Sequence, residues 1–373
     1  MPSSLSVFCI QGKQKPSSLS ISRGMDFSCV ESGSIEPEAL VLDNAYSLYS
    51  FDPRKQQAVL VATEGDLFAP PFFYDAQYRA ATKAVFVPLD DFLALCQPLP
   101  LPSACFVFSL PRSGSTFFSR LLSRAFGLQL LSEPDALSAL WAMKEMGISQ
   151  DRAKMIARAA LSFLCRGKEK AMWVVKPRSF CQTLAPIFGE MGMKNLFLYR
   201  DVFSWARSYL RAFSRGDEEN PWQRHFLDQV RAFLQELLPP GTSPPSLDTP
   251  ERLAVASWMK AMEEFLRAQD HFLSALRYED LCVSPFGCLQ ALSPVLGLEI
   301  TASEKDLEPL FAQDTQAGTV LSRDQVAQVA VDEKAITLAM ESLLPLWRKK
   351  GAPLERNETN ITIPRTIGIK KGP

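Results

Sequence analysis

Residues Phe106 to Leu122, FVFSLPRSGSTFFSRLL, constrain the fold more than any other stretch of the chain. An apolar run leads into a tight Arg-Ser-Gly-Ser-Thr turn, and an amphipathic helix starts directly after it. A strand that delivers the chain into such a turn leaves backbone N–H groups, at a helix N-terminus, facing an anion. Gly114 permits close approach of the backbone to a ligand, and Ser115 and Thr116 can cap the helix or donate hydroxyl hydrogen bonds. Arg112 adds a forked cation suited to phosphate or sulfate oxygens. Phe117, Phe118, Leu121, Leu122 and Ala125 fall on one apolar stripe, so that face packs while the helix N-terminus stays free. The same residues also fit a plain strand–turn–helix connection in which Ser and Thr only cap. The pattern GxxxxGK[ST] occurs nowhere in the chain, which takes support from ordinary ATP or GTP hydrolysis.

The balance of the whole chain narrows the classes further. With 40 basic and 41 acidic side chains, the formal net charge is -1, so bulk charge makes no case for nucleic acid or a membrane surface. Any anion site must be local. Length (373 residues) and a hydrophobic share of 47% suffice for one large domain or two ordinary ones. The 8 cysteines are scattered, with no CxxC pair and no zinc-type spacing, and several lie in apolar surroundings. Reduced thiols in a reducing compartment are expected, and no metal site. No apolar run reaches the length of a membrane span, and the N-terminus lacks a basic segment followed by a long apolar one. The sequons at Asn357 and Asn360 then carry no weight, and a cytoplasmic location is expected.

Taken in order, residues 1–40 are Ser-rich without clear periodicity and are expected to be a flexible N-terminal segment. Residues 41–100 form an extension expected to pack on the catalytic domain. It holds a strand at Ala58 to Glu64, a turn at Ala69 to Asp75, and a strand running into a short helix over Lys83 to Leu95. The connector QPLPLPS, Gln97 to Ser103, marks the boundary. Residues 101–355 then alternate strand-like and helix-like segments. Strands are expected at Phe106 to Leu110, Leu128 to Leu131, Met172 to Val175, Asn195 to Tyr199 and Leu276 to Tyr278. Between and after them, helices are expected at Ser115 to Phe126, Asp135 to Met146, Gln150 to Cys165, Val202 to Phe213, Trp222 to Leu238, Pro250 to Phe272 and Pro285 to Leu296. Such alternation implies an α/β domain whose mainly parallel sheet is flanked by helices. Residues 356–373 are a loosely held C-terminal tail.

The turn PRSGST after a strand resembles the 5′-phosphosulfate loop of sulfotransferases that use 3′-phosphoadenosine 5′-phosphosulfate (PAPS). Two further segments resemble the same family. LYRDVFSWARSYL places Arg200 at a strand end and Ser208 eight residues later, the family's 3′-phosphate pair. RYEDL, Arg277 to Leu281, with SPFGCLQALSPVLGLEI after it, is similar to the family's late segment; Glu279 and Asp280 are read there as structural. The resemblance spans Phe106 to Leu298 and implies a P-loop-like sulfotransferase fold. It also implies PAPS as co-substrate without a metal, held by Arg112, Ser113, Gly114, Ser115, Thr116, Arg200 and Ser208. Physically, an Arg at a strand's C-terminal end and a hydroxyl two turns into the next helix can converge on one phosphate.

Sulfuryl transfer needs in-line geometry, a base for the acceptor hydroxyl and cations for the leaving phosphate. The only histidines, His225 and His271, lie outside the matching motifs. The segment Val175-Lys176-Pro177-Arg178-Ser179 stands where the family's small-molecule branch has its base His, and it holds none. The branch that includes tyrosylprotein sulfotransferases uses a glutamate after the second strand, and Glu133 stands there, twenty-one residues after Arg112. The resemblance therefore implies Glu133 as general base, Lys176 as the lysine that reaches the sulfuryl group, and Arg112 at the sulfate-bearing end. Pro134 is expected to start the next helix at its first position. A loop closing over the nucleotide would come from Asp314 to Arg323 or from Trp347 to Gly351. The acceptor would be a small-molecule or glycan hydroxyl. Two rivals remain: a catalytically inactive protein of this fold that binds nucleotide or a partner, and a kinase with a divergent loop.

Overall fold

In the computed structural model, residues 3–14, 24–68, 70–167, 172–213, 221–312, 329–351, 355–357 and 360–362 are described. The chain divides into two compact units, one of residues 1–108 and 119–195, the other of residues 109–118 and 196–373. Two five-stranded sheets carry the architecture, and a short β-hairpin pairs Glu355–Asn357 with Asn360–Thr362.

The first sheet is built from β1 (Leu5–Lys13), β2 (Phe27–Ile35), β3 (Tyr46–Asp52), β4 (Gln57–Thr63) and β5 (Ala81–Pro88), in the order β2-β1-β5-β4-β3. Every pairing in it is antiparallel. Residues 1–40, expected to be flexible, thus contain two of its strands. The Ser and Gly residues of β2 face solvent along a sheet edge, so backbone ladder bonds rather than an apolar stripe define that strand. One packed cluster gathers Phe27, Tyr49, Val59, Val61 and Ala81. Strand β3 is buried along its whole length. Phe51 meets Phe92 of helix Leu89–Cys96, and Phe92 meets Phe163 of helix Gln150–Leu164, at ring separations of 5.8 and 5.5 Å. This sheet is therefore packed into the same unit as the helices that follow position 101.

The second sheet uses β6 (Ala104–Ser109), β7 (Gln129–Ser132), β8 (Trp173–Lys176), β9 (Lys194–Tyr199) and β10 (Ser274–Arg277), in the order β10-β9-β6-β8-β7. The pairs β6–β8, β7–β8 and β9–β10 are parallel. With the helices between its strands this is the α/β class expected from the sequence. All six residues of β6 are buried, as a strand covered on both faces requires. Chain order reverses beside β6: the loop after β6 leads to β7 on one side, and the chain later returns to β9 on the other. Ligands of open α/β sheets bind at the carboxyl ends of strands where the order reverses, and the loops after β6 and β9 lie there.

The helices Ser115–Phe126, Val202–Phe213 and Pro285–Leu296 have the bounds expected from periodicity and capping. Three differences have local causes. Phe73–Ala80 is helical although Pro and aromatics precede it, because the prolines lie outside it and Phe73, Ala76 and Gln77 form its buried face. The helix from Pro250 stops at Arg267 rather than continuing to Phe272, since Gln269–His271 tightens into a 3₁₀ turn. Pro134 caps the helix Asp135–Glu145 from outside rather than opening it. Among the described residues, no helix is long and apolar enough to cross a membrane.

Phe106 stacks on Phe188 with ring centroids 4.0 Å apart, both fully buried. Phe106→Ala should therefore lower stability by about 3–5 kcal/mol, measured as a shift in the urea midpoint at constant slope.

Candidate functional site

The loop after β6 leaves the strand at Ser109 and enters helix Ser115–Phe126 through Leu110 to Gly114. Arg112 has φ +62° and Gly114 φ +80°. For arginine that region is sterically costly, and such strain gathers at functional loops. Ser113 is fully buried and its hydroxyl finds no hydrogen-bond partner among the described residues. Ser115 and Thr116 are also buried. A buried orphan hydroxyl beside strained backbone, at the start of a twelve-residue helix, fits a loop built to receive an anion. The Trp205 indole N–H donates to the Pro111 carbonyl at 2.6 Å and fixes the loop's entry.

The loop after β9 carries Arg200 and Asp201. The Trp258 indole N–H donates to the Arg200 carbonyl at 2.9 Å, so each candidate ligand loop is tethered by one buried tryptophan. Asp201 accepts from the Ser204 backbone N–H at 2.9 Å, which caps helix Val202–Phe213. Ser208 lies half-buried in that helix, two turns from its start.

Tyr278, which the sequence reading assigned no role, joins the two loops. Its ring lies so close to Gly114 that a Cβ there would stand 2.6 Å from Tyr278 Cδ2. The same ring carries the Arg200 guanidinium, 4.9 Å from its centroid. Residue 114 must therefore be glycine for space as well as for φ. Glu279, next in sequence, has its Oε1 3.6 Å from Arg200 Nε and accepts from the Asp201 backbone N–H at 3.3 Å. Burial, then the hydrogen bond and the charge of Asp201, push the Glu279 carboxyl from 4.5 up to about 8. Burial alone would raise Asp201 too, but hydrogen bonds from Glu279 and Ser204, and the Arg200 charge, hold it low. At neutral pH Glu279 is the protonated partner and its O–H donates to the Asp201 carboxylate. A neutral Glu279 leaves the Arg200 cation less compensated.

Glu133 and Lys176 meet in the other unit through ladder register. Strands β7 and β8 run parallel with Ser132 opposite Lys176, and the Glu133 backbone N–H extends the ladder to the Lys176 carbonyl at 2.6 Å. Two strands that end together bring the next side chains together. Glu133 has φ +53° and its Oε1 forms an ion pair with Lys176 Nζ. Glu133 Oε2 lies 3.9 Å from Arg178 Nε, and Arg178 Nη2 lies 3.1 Å from Asp135 Oδ1. Among the described residues only Gln56, Arg112 and Glu133 combine a side chain with positive φ, and Gln56 belongs to the β3–β4 turn. The two others are both residues expected to act in chemistry.

Neither histidine enters these clusters: His225 pairs with Gln229 at 3.0 Å, and His271 closes the 3₁₀ turn Gln269–His271. Of the two segments expected to cover a nucleotide, Asp314 to Arg323 lies outside the described residues. The other, Trp347 to Gly351, is the end of helix Glu333–Lys349, where Trp347 is buried and bonded to Glu263 at 2.8 Å.

No family model matches the sequence, and no curated protein matches it. Among solved structures the chain is similar to a sulfotransferase domain from the curacin biosynthetic pathway (16% identity, 67% of this chain and 98% of that chain, TM-score 0.36). It is also similar to mouse sulfotransferase SULT7A1 complexed with PAP (12%, 67% and 88%, TM-score 0.36). A third likeness is sulfotransferase STF9 from Mycobacterium avium (13%, 67% and 78%, TM-score 0.40).

The raised Glu279 value has a stability consequence. Between the ordinary glutamate range and about pH 8 the native state holds a proton that the unfolded chain has lost. This contribution is full below that range and is lost as pH rises through about 8. Glu279→Gln keeps a donor toward Asp201 and cannot ionise, so its melting temperature should gain on the wild type as pH rises. Thermal unfolding followed by circular dichroism from about pH 5 to about pH 9 tests this; parallel curves would refute the shared proton.

Proposed function

We propose that the chain is a sulfotransferase that moves a sulfuryl group from PAPS to the hydroxyl of a small-molecule or glycan acceptor, with Glu133 as general base. The observation that carries the nucleotide part is the Tyr278 ring, which lies against Gly114 and under Arg200 and so ties the two phosphate-type loops together. When bound, PAPS would supply a sulfuryl group on a good phosphate leaving group. The Arg112 to Thr116 loop offers backbone N–H groups, the buried Ser113 hydroxyl and a guanidinium to the 5′ end. Arg200 and Ser208 offer a cation and a hydroxyl to the 3′-phosphate.

Glu133 takes the proton of the acceptor oxygen as that oxygen becomes a nucleophile. Lys176 holds positive charge against the oxygen that gains charge as the old bond breaks. In the present state these two groups neutralise each other in one ion pair. Turnover requires Lys176 to turn from Glu133 so that the carboxylate can accept a proton. That same ion pair favours the second reading, a nucleotide-binding protein of this fold without turnover. A cytoplasmic location belongs to the proposal and draws on the cysteines, all eight of which are free.

Transfer of labelled sulfate from PAPS to members of an acceptor panel tests the activity. Glu133→Gln should keep PAPS affinity and lose about 10²–10⁴-fold in turnover, the range for removing a general base. Full activity in this variant would remove Glu133 from the role, and absence of transfer by wild type with retained binding would favour the second reading. Calorimetry with 3′-phosphoadenosine 5′-phosphate should show binding that Arg200→Ala weakens by about 1.5–3 kcal/mol and Ser208→Ala by about 0.5–1.5 kcal/mol. Equal binding by both variants would refute the 3′-phosphate assignment.

A further inference from the structure

Arg178 and Asp135 have no part in the reaction as described, yet they form a buried ion pair against its base. Asp135 is 0% exposed and Arg178 7%. Removing two such charges from water is costly, and an apolar pair of similar size would fill the space without that cost. What the pair supplies instead is direction. The Arg178 guanidinium reaches Asp135 Oδ1 at 3.1 Å on one side and Glu133 Oε2 at 3.9 Å on the other, and lies 4.3 Å from the Tyr74 ring centroid. The Ser50 hydroxyl of β3 donates to Asp135 Oδ2 at 3.1 Å. Glu133 itself sits at φ +53°, so its direction is over-determined by what surrounds it. Its two carboxylate oxygens are divided, one toward Lys176 and one toward Arg178. The charged and titratable groups around it are Lys176, Arg178, Asp135, Tyr74 and Cys181.

We propose that Arg178 and Asp135 are positioning residues for Glu133, and that residues before position 100 take part in the site through Ser50 and Tyr74. The inference rests on the sulfuryl-transfer reading for its catalytic meaning, but the arrangement itself is separable from it. The N-terminal sheet supplies the hydroxyl that fixes Asp135, Asp135 fixes the guanidinium, and the guanidinium charge stands 3.9 Å from one oxygen of Glu133. The other oxygen is left to Lys176. When Lys176 turns away, the nearby Arg178 charge still attracts Oε2, so Glu133 presents Oε1 with little swing.

The test uses the full chain labelled with carbon-13 at the glutamate δ-carboxyl, the Glu133 resonance being the one missing from Glu133→Gln. The double variant Asp135→Leu with Arg178→Met removes both charges and leaves neither unpaired. It should displace and broaden the Glu133 resonance, Ser50→Ala should move it in the same sense by less, and Arg178→Lys should restore it in part. With labelled PAPS and 4-nitrophenol as probe acceptor, the double variant should lose about 10²-fold in kcat while the KM for PAPS is unchanged. A folded double variant with the wild-type resonance overturns the proposal. If the double variant does not fold, an unmoved resonance in Ser50→Ala overturns it instead. A displaced resonance, with no label transferred even by wild type, supports the positioning and counts against the sulfuryl-transfer reading alone.

Discussion

A single aromatic ring decides how the part of this protein that carries Gly114 and Arg200 is built. Tyr278 occupies the space in front of Gly114 and supports the guanidinium of Arg200, so two loops that follow different strands share one surface. The missing Cβ of Gly114 makes the room that the ring fills. Trp205 and Trp258 complete the arrangement by holding the Pro111 and Arg200 carbonyls. Each loop is thus tethered by a large buried side chain. The buried Ser113 hydroxyl has no hydrogen-bond partner among the described residues.

Charge in this part is tuned by a proton. Asp201 is committed to capping helix Val202–Phe213, and burial, aided by the hydrogen bond and charge of Asp201, raises the neighbouring Glu279 carboxyl to about 8. Had both been ionised, Arg200 would face two carboxylates and a phosphate would have little to gain there. The segment Arg277 to Leu281 therefore does more than end a strand: it contributes the ring, the proton-bearing carboxyl and the start of helix Tyr278–Val283.

The other cluster follows from strand register. Because β7 and β8 run parallel and end at Ser132 and Lys176, the residues just beyond them are neighbours without any need for sequence proximity. Four charges, Glu133, Asp135, Lys176 and Arg178, then form a net-neutral group, and compensation of this kind lets charged residues stay buried. The N-terminal sheet closes that group from Ser50, which gives the first hundred residues a physical reason to pack where they do.

The motifs of the second sheet were legible because strong local signals carry them. Apolar runs of β6 and β9 end at Ser-Gly and Arg-Asp turns, and the helices Ser115–Phe126 and Val202–Phe213 repeat an apolar face at the 3.6-residue period. Arg112 could be singled out from its place in the turn, and Glu133, Lys176 and Arg200 from the family resemblance of the segments that hold them. The strands β1 and β2 could not, since a Ser-rich edge strand owes its form to a neighbouring strand's hydrogen bonds. Tyr278, Asp135, Tyr74 and Ser50 were equally silent, each being an ordinary core or capping residue when read alone, and Arg178 stood in a motif without a definite role. The sequence by itself determined the α/β class and which residue types stand at the strand ends. Only the tertiary structure decided which of them touch, because ring contacts, strand register and a shared proton join residues far apart in the chain.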